Sequence, residues 1–205
     1  GGISEGLGGA GGDIGDETGF GEVGGGAGGG AAKFFGLEAS GTRFAYVIDV
    51  SGSMQGAKLS ALKIEIIEST DALLEHMQFF VSPYSSDAFL LDKKNKWTSS
   101  SDNGKKWARD EIKDLEAMGG TNPVPSFQAV FDLKPRPDAI YFMTDGLFAE
   151  DVPHLIMQMN KRGRKVPIHC IAFDIQDKAV ERMMKQIADE SGGRYTSVPL
   201  TRNGR

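Results

Sequence analysis

Asp49-Val50-Ser51-Gly52-Ser53 sets a carboxylate and two hydroxyls on alternating residues. Where such a segment leaves a strand and curls towards a helix, all three side chains can turn their oxygens to one point, with Gly52 easing the tight backbone. Oxygen-only donors suit a hard divalent cation, Mg2+ or Mn2+ with Ca2+ as a further candidate; zinc and copper prefer nitrogen and sulfur. Thr121, in Gly119-Gly120-Thr121-Asn122-Pro123, offers a third hydroxyl, and Asp145, in Phe142-Met143-Thr144-Asp145-Gly146, a second carboxylate. Two carboxylates formally neutralise a dication, and a small octahedral ion would still accept water or an outside oxygen. A partner's Asp or Glu side chain could enter that position, in a contact that chelators would abolish.

These residues lie far apart in sequence, so the fold must gather them. From residue 43 onward, short β-rich runs alternate with amphipathic helical stretches, the rhythm of an α/β domain on a mainly parallel sheet. The run 43–50 is almost continuously apolar, as expected for a central strand covered on both faces. Leu59, Leu62, Ile66, Ile67, Leu73, Leu74 and Met77 recur at helical spacing and predict a helix over 58–77. The apolar runs 79–82 and 88–91 are too close for a crossover, which predicts a hairpin and therefore one antiparallel edge strand. Further helices are predicted over 103–118, 125–131, 151–162 and 178–191, and strands over 138–144, 167–173 and 194–198. Tracing strand directions brings residues 49–53, 119–121 and 145 to the same sheet edge, the carboxyl ends of the strands, where open α/β sheets place ligands.

With these three segments the sequence resembles a von Willebrand factor type A domain carrying a complete metal-ion-dependent adhesion site, over residues 43–198. Asp49, Ser51, Ser53, Thr121 and Asp145 match every metal-site position of that pattern. The resemblance implies a Rossmann-like three-layer sandwich, with one antiparallel edge strand and helices on both faces, and protein binding rather than catalysis. Phe34-Phe35-Gly36-Leu37 and the run 44–49 also resemble bacterial members, in which the domain often follows a membrane anchor and a flexible linker and sometimes works with AAA+ ATPases of the MoxR type. Met54, Gln55, Pro83, Tyr84, Asn122 and Leu147 are expected on loops at the site edge, with Tyr84 as an aromatic anchor for the partner.

Of the 205 residues, the first 30 hold 16 of the 28 glycines, five acidic residues and no Lys or Arg, so the net charge of -5 belongs to this stretch. It carries too few apolar groups to form a core and reads as a flexible tether over 1–30, followed by an extension, extra edge strand or cap over 31–42 and a tail over 199–205. The remaining 175 residues balance 23 acidic against 23 basic. That argues against a nucleic-acid binder with a broad positive face, and no apolar run is long enough to insert in a membrane. A start at Gly1, without initiator Met or signal peptide, reads as a processed form or an excised fragment. The single cysteine, Cys170, excludes an internal disulfide.

Other chemistries have weaker signals. Ser60-Ala61-Leu62-Lys63 and Ser101-Asp102-Asn103 match two of the three signatures of penicillin-interacting serine acylases, which keeps a hydrolase or acyl transferase using Ser60 and Lys63 as an alternative, but K-T-G is missing. Gly56-Ala57-Lys58 fails as a phosphate loop. His76, His154 and His169 lack zinc-ligand spacing. Lys161, Arg162, Arg164 and Lys165 around Gly163 fit a helix C-terminus or a phosphate patch. A capped turn at Ser51 or Ser53, with Asp145 capping a later helix, is the plain structural alternative for the metal cluster. A structural assembly domain with a vestigial metal site is a third functional reading.

Overall fold

A computed structural model describes residues 30–91 and 94–200. Its centre is β3 (Arg43–Asp49), buried along Phe44 to Asp49 and paired in parallel with β4 (Gln78–Tyr84) on one side and β6 (Ala139–Thr144) on the other. Beyond β6 lie β7 (Ile168–Phe173) and β8 (Tyr195–Val198), both parallel, and at the opposite edge β5 (Thr98–Ser99) runs antiparallel to β4. The order is therefore β5-β4-β3-β6-β7-β8, a mainly parallel sheet with one antiparallel edge strand. The edge strand is not the predicted run 88–91, of which only Ala88 makes an isolated bridge to Tyr84.

Because β3 and β6 are covered on both sides, their alternating side chains feed two separate cores. Ala45, Val47, Ile140 and Phe142 face α3 (Val124–Asp132), α4 (Val152–Lys161) and α5 (Lys178–Ser191), through Phe127, Ile156, Met184 and Ile187. Phe44, Tyr46, Ile48, Tyr141 and Met143 face α1 (Ala57–Asp71) and α2 (Asp102–Lys113), through Leu62, Ile66, Ala108 and Ile112. Helices thus lie on both faces, in three layers.

Residues 30–41 form a separate antiparallel hairpin, β1 (Gly30–Phe34) and β2 (Leu37–Gly41), rather than an added edge strand. It caps the second face: fully buried Phe34 packs edge-on against Tyr46 and Tyr141 at 5.4 and 5.6 Å, and the Tyr141 hydroxyl donates to Ala32 O at 2.6 Å. Burial of one such ring is worth about 1.5–3 kcal/mol. The expected tether lies almost wholly outside the described residues. No described helix is long and apolar enough to cross a membrane.

Two helices end earlier than their apolar spacing predicts, and one of these ends helps to build the site. α1 stops at Asp71, while Leu73 and Met77 reach the core from the following turns and Leu74 points outward. α2, capped where the Ser101 hydroxyl accepts from Gly104 N, stops at Lys113. The chain beyond it runs to the carboxyl edge of β3, where Met118 N donates to Val50 O at 2.8 Å.

Candidate functional site

Asp49 ends β3 with no exposed surface, its carboxylate held on both oxygens. Ser51 N donates to Oδ1 at 2.8 Å and the Thr144 hydroxyl to Oδ2 at 2.7 Å. The chain then enters a 3-10 turn, Gly52–Met54, which sets the Ser51 and Ser53 hydroxyls 3.1 Å apart. Ser53 donates in turn to Asp145 Oδ1 at 2.7 Å, across 92 residues of sequence. Ser51 occupies the N-cap position of that turn but makes no side-chain cap bond, so the capped-turn alternative does not describe its hydroxyl.

The third loop arrives through backbone contacts. Gly52 N donates to Gly119 O at 3.1 Å, Gly120 N to the Ser86 hydroxyl at 2.8 Å and Asn122 N to Ser85 O at 2.7 Å. Gly119 has φ +71°, and a Cβ there would stand 2.9 Å from Ser86 Oγ, so both backbone shape and space call for glycine. Gly146 matters differently: a Cβ on it would lie 3.7 Å from Ser53 Oγ and 3.9 Å from Thr121 Oγ1. Both hydroxyls therefore lie within contact range of one point on the Asp145–Gly146 loop.

Charge at the cluster is only partly compensated. Lys58 Nζ contacts Asp145 Oδ2 at 2.8 Å and lies 3.7 Å from Asp174 Oδ2, but no ion pair reaches Asp49 among the described residues. Burial pushes the Asp49 carboxyl above its ordinary range; hydrogen bonds from Ser51 and Thr144 pull it down, and the Asp145 charge adds to the rise. Among the described residues, no group of three or more His, Cys, Asp or Glu side chains could hold a metal ion. The donor set is instead two carboxylates with hydroxyls, lacking soft ligands and one positive charge short of neutrality, which fits a hard oxygen-seeking cation.

Of the six expected rim residues, Gln55, Asn122 and Leu147 are exposed. Met54, Pro83 and Tyr84 are buried. Met54 inserts into the core beside α1, and β4 continues through Pro83 and Tyr84, whose Cα partners are Ile48 and Asp49. The Tyr84 hydroxyl donates to Met143 O at 3.2 Å and faces Asp49 Oδ2 at 3.4 Å, so Tyr84 supports the site from beneath and offers no anchor to a partner. The exposed apolar groups at this edge are Leu147, Phe89 and Met118, the last two lining one hollow with Val50. Phe89 and Met118 carry no functional signal in the sequence, and Lys58 enters there only as part of a failed phosphate loop.

The competing chemistries lose their geometry. Ser60 donates to Gly56 O and Lys63 to Lys113 O, so neither activates the other, and Ser101 is engaged as a helix cap. His76 and His154 are exposed and His169 is buried, its ring pushed down to about 4 by burial and by the Arg194 charge. Buried Cys170 has its thiol pushed up by burial, away from reactivity. Arg164 is turned onto Asp138 at 3.1 Å and Pro137 O at 2.6 Å.

Comparison with known proteins agrees with this architecture. The family model described as "von Willebrand factor type A domain" matches residues 43–197. Human von Willebrand factor A domain-containing proteins 3B and 3A are each 26% identical, over 73% and 80% of this chain. The chain spans only 11% and 14% of their lengths. Both relatives are human, so the likeness is not confined to bacterial members. Among solved structures, a von Willebrand factor type A protein from Catenulispora acidiphila superposes with a TM-score of 0.67 at 19% identity, covering 79% of this chain and 40% of that one. That likeness extends to the fold. With three quarters of its length matched by the family model, this chain belongs to the von Willebrand factor type A domain family.

Proposed function

We propose that the chain is a non-catalytic protein-binding module that takes an Asp or Glu side chain of its partner through a divalent cation, Mg2+ or Mn2+, held directly or through water by Asp49, Ser51, Ser53, Thr121 and Asp145. Members of this family are protein-interaction modules, which supports the coarser half of this reading. The observation that carries the finer half is the continuous chain Asp49, Ser51, Ser53, Asp145, closed by hydrogen bonds between two loops with Thr121 alongside. When bound, the cation would supply an electrophilic centre that binds a partner carboxylate. Thr144 and Ser51 N fix the orientation of Asp49, and the Ser53 and Thr121 hydroxyls both lie beside Gly146. Three of the five exposed large apolar residues among the described ones, Phe89, Met118 and Leu147, stand at this edge, which favours it as the face a partner meets.

The test is titration of the protein with Mg2+ and Mn2+. Wild type should bind, and at tenfold the dissociation constant gain about 1.4 kcal/mol of stability. In Asp49→Ala both effects should disappear, and a partner captured in Mn2+ should be released by EDTA. A mutant with wild-type affinity for the ion would overturn the proposal. The Lys58 ammonium on Asp145 favours one second reading, a domain that binds its partner without metal; complexes indifferent to EDTA would select it.

A further inference from the structure

We infer that Lys58 is a built-in counter-cation of this site, an ammonium that sits on Asp145 without the ion and moves to Asp174 when the ion enters, thereby setting the affinity for metal. The inference rests on the proposed metal site and adds to it a residue that is not a ligand.

Lys58 lies in the first turn of α1, directly after the loop that carries Ser51 and Ser53. Its Nζ is 2.8 Å from Asp145 Oδ2, while Ser53 takes Oδ1 of the same carboxylate. Both oxygens of this carboxylate are therefore engaged, and its side chain has no exposed surface. A dication approaching Asp145 meets a like charge already in contact, in a partly buried place where water screens little. The ion can use Asp145 fully only if the ammonium withdraws.

The structure contains a place for it to go. Asp174 follows β7 at the same edge, with its Oδ2 3.7 Å from Lys58 Nζ and its side chain about one-third exposed. Its backbone is held in the left-handed region at φ 53°, by a chain that donates from Asp174 N to Val198 O at 2.7 Å. Asp adopts that region more readily than most residues. Lysine is a compact charge on a flexible four-carbon stem, able to shift between two carboxylates this close without movement of α1. Asp174 is thus the acceptor that lowers the cost of clearing Asp145.

A double-mutant cycle on the full chain, read by calorimetric titration with MnCl2, tests this. Lys58→Met removes the charge and keeps most of the stem, and should tighten Mn2+ binding about tenfold. Lys58→Arg should stay near wild type. Asp174→Asn removes the alternative acceptor and should weaken binding about threefold, an effect that should vanish in the Lys58→Met background. A readout independent of binding is thermal unfolding in EDTA, where Lys58→Met should melt below wild type because Asp145 loses its counter-charge, with Mg2+ reversing the order. Wild type that binds Mn2+ while Lys58→Met binds equally or more weakly overturns this inference and leaves the metal site standing. An Asp174→Asn effect unchanged without Lys58 also overturns it. If neither wild type nor folded Lys58→Met binds Mn2+, the metal site itself falls and this inference with it.

Discussion

The two ends of β3 each place an aspartate against the strand, and they treat it in opposite ways. At the amino end, Asp138 Oδ2 accepts from Thr42 N at 2.9 Å, Arg43 N at 3.0 Å and the Thr42 hydroxyl at 3.2 Å, while Oδ1 accepts from Arg164 at 3.1 Å. Burial raises its carboxyl, but the Thr42 and Arg43 amides and the Arg43 charge outweigh it, so the group lies below its ordinary range. At the carboxyl end, Asp49 is more deeply buried, no ion pair reaches it among the described residues, and its carboxyl lies above its ordinary range. The first aspartate is satisfied and stabilises the folded chain. At the second, burial and the Asp145 charge disfavour the ionised form more than the hydrogen bonds favour it, the pattern expected of a group kept for an external cation.

The largest effect should come from the satisfied end. Asp138→Ala leaves part-buried Thr42 N, Arg43 N and the Thr42 hydroxyl without their acceptor and exposed Arg164 without its counter-ion, at about 1 kcal/mol for each part-buried hydrogen bond lost. We expect a loss of about 3 kcal/mol in denaturant unfolding, the same in EDTA as in Mg2+. If the loss depended on the ion, the two ends would not be independent and the contrast would fail.

The next effect also belongs to the amino end, where His169 lies near the start of β7 and its Nδ1 accepts from Arg194 N at 3.2 Å. Its folded value of about 4 lies below the ordinary 6.5, so the unfolded chain binds more protons between these values. Stability should therefore be fully present above about pH 6.5 and fall as pH drops towards 4, by up to about 3 kcal/mol at 1.36 per unit. Satisfaction of Asp138 offers no protection here, because its own contribution is lost only as pH falls below the ordinary carboxyl range and through its lowered folded value. Replacement of His169 by Gln should flatten the slope across this window; an unchanged slope would assign the acid loss elsewhere.

What the sequence made legible follows the same division. Strands such as 139–144 and 168–173 are almost continuously apolar, with His169 the exception in the second, and their pattern alone puts their carboxyl ends, with the loops that follow, at one edge. The site loops were legible because the alternation of Asp, Ser and Ser, weak alone, follows a buried strand and is joined by Gly119–Pro123 and Thr144–Gly146 in loops expected to converge. β5 was not, since Thr98 and Ser99 carry no apolar signal and are strand only because β4 offers an unpaired edge. Tyr84 was misplaced because Pro83 reads as a strand breaker, whereas β4 runs through it in register with Ile48. The pairing of Lys58 with the site gave no signal because its partners stand 87 and 116 residues away. A count of charge over the converging loops, two carboxylates and no cation, is what would have sent a search to the helix that starts there.

The smallest effect is the one that separates the two aspartates most sharply. Asp49→Asn imitates the protonated carboxyl, the form that burial and the Asp145 charge already favour. The amide oxygen can keep the bond from Ser51 N, and the amide nitrogen then faces Thr144 Oγ1. That hydroxyl is free to accept it because its own proton has a second acceptor, Gly146 O at 3.2 Å. No buried group is orphaned and one uncompensated charge is removed, so in EDTA the variant should unfold about 1 kcal/mol later than wild type. In saturating Mg2+ the order should reverse, because wild type gains the ion's binding energy and the variant has lost a charged donor. Stabilisation in EDTA together with loss in Mg2+ would mark Asp49 as a group whose burial is offset only by a cation. Destabilisation of similar size in both media would make it a second Asp138, held by its hydrogen bonds and needing nothing from outside.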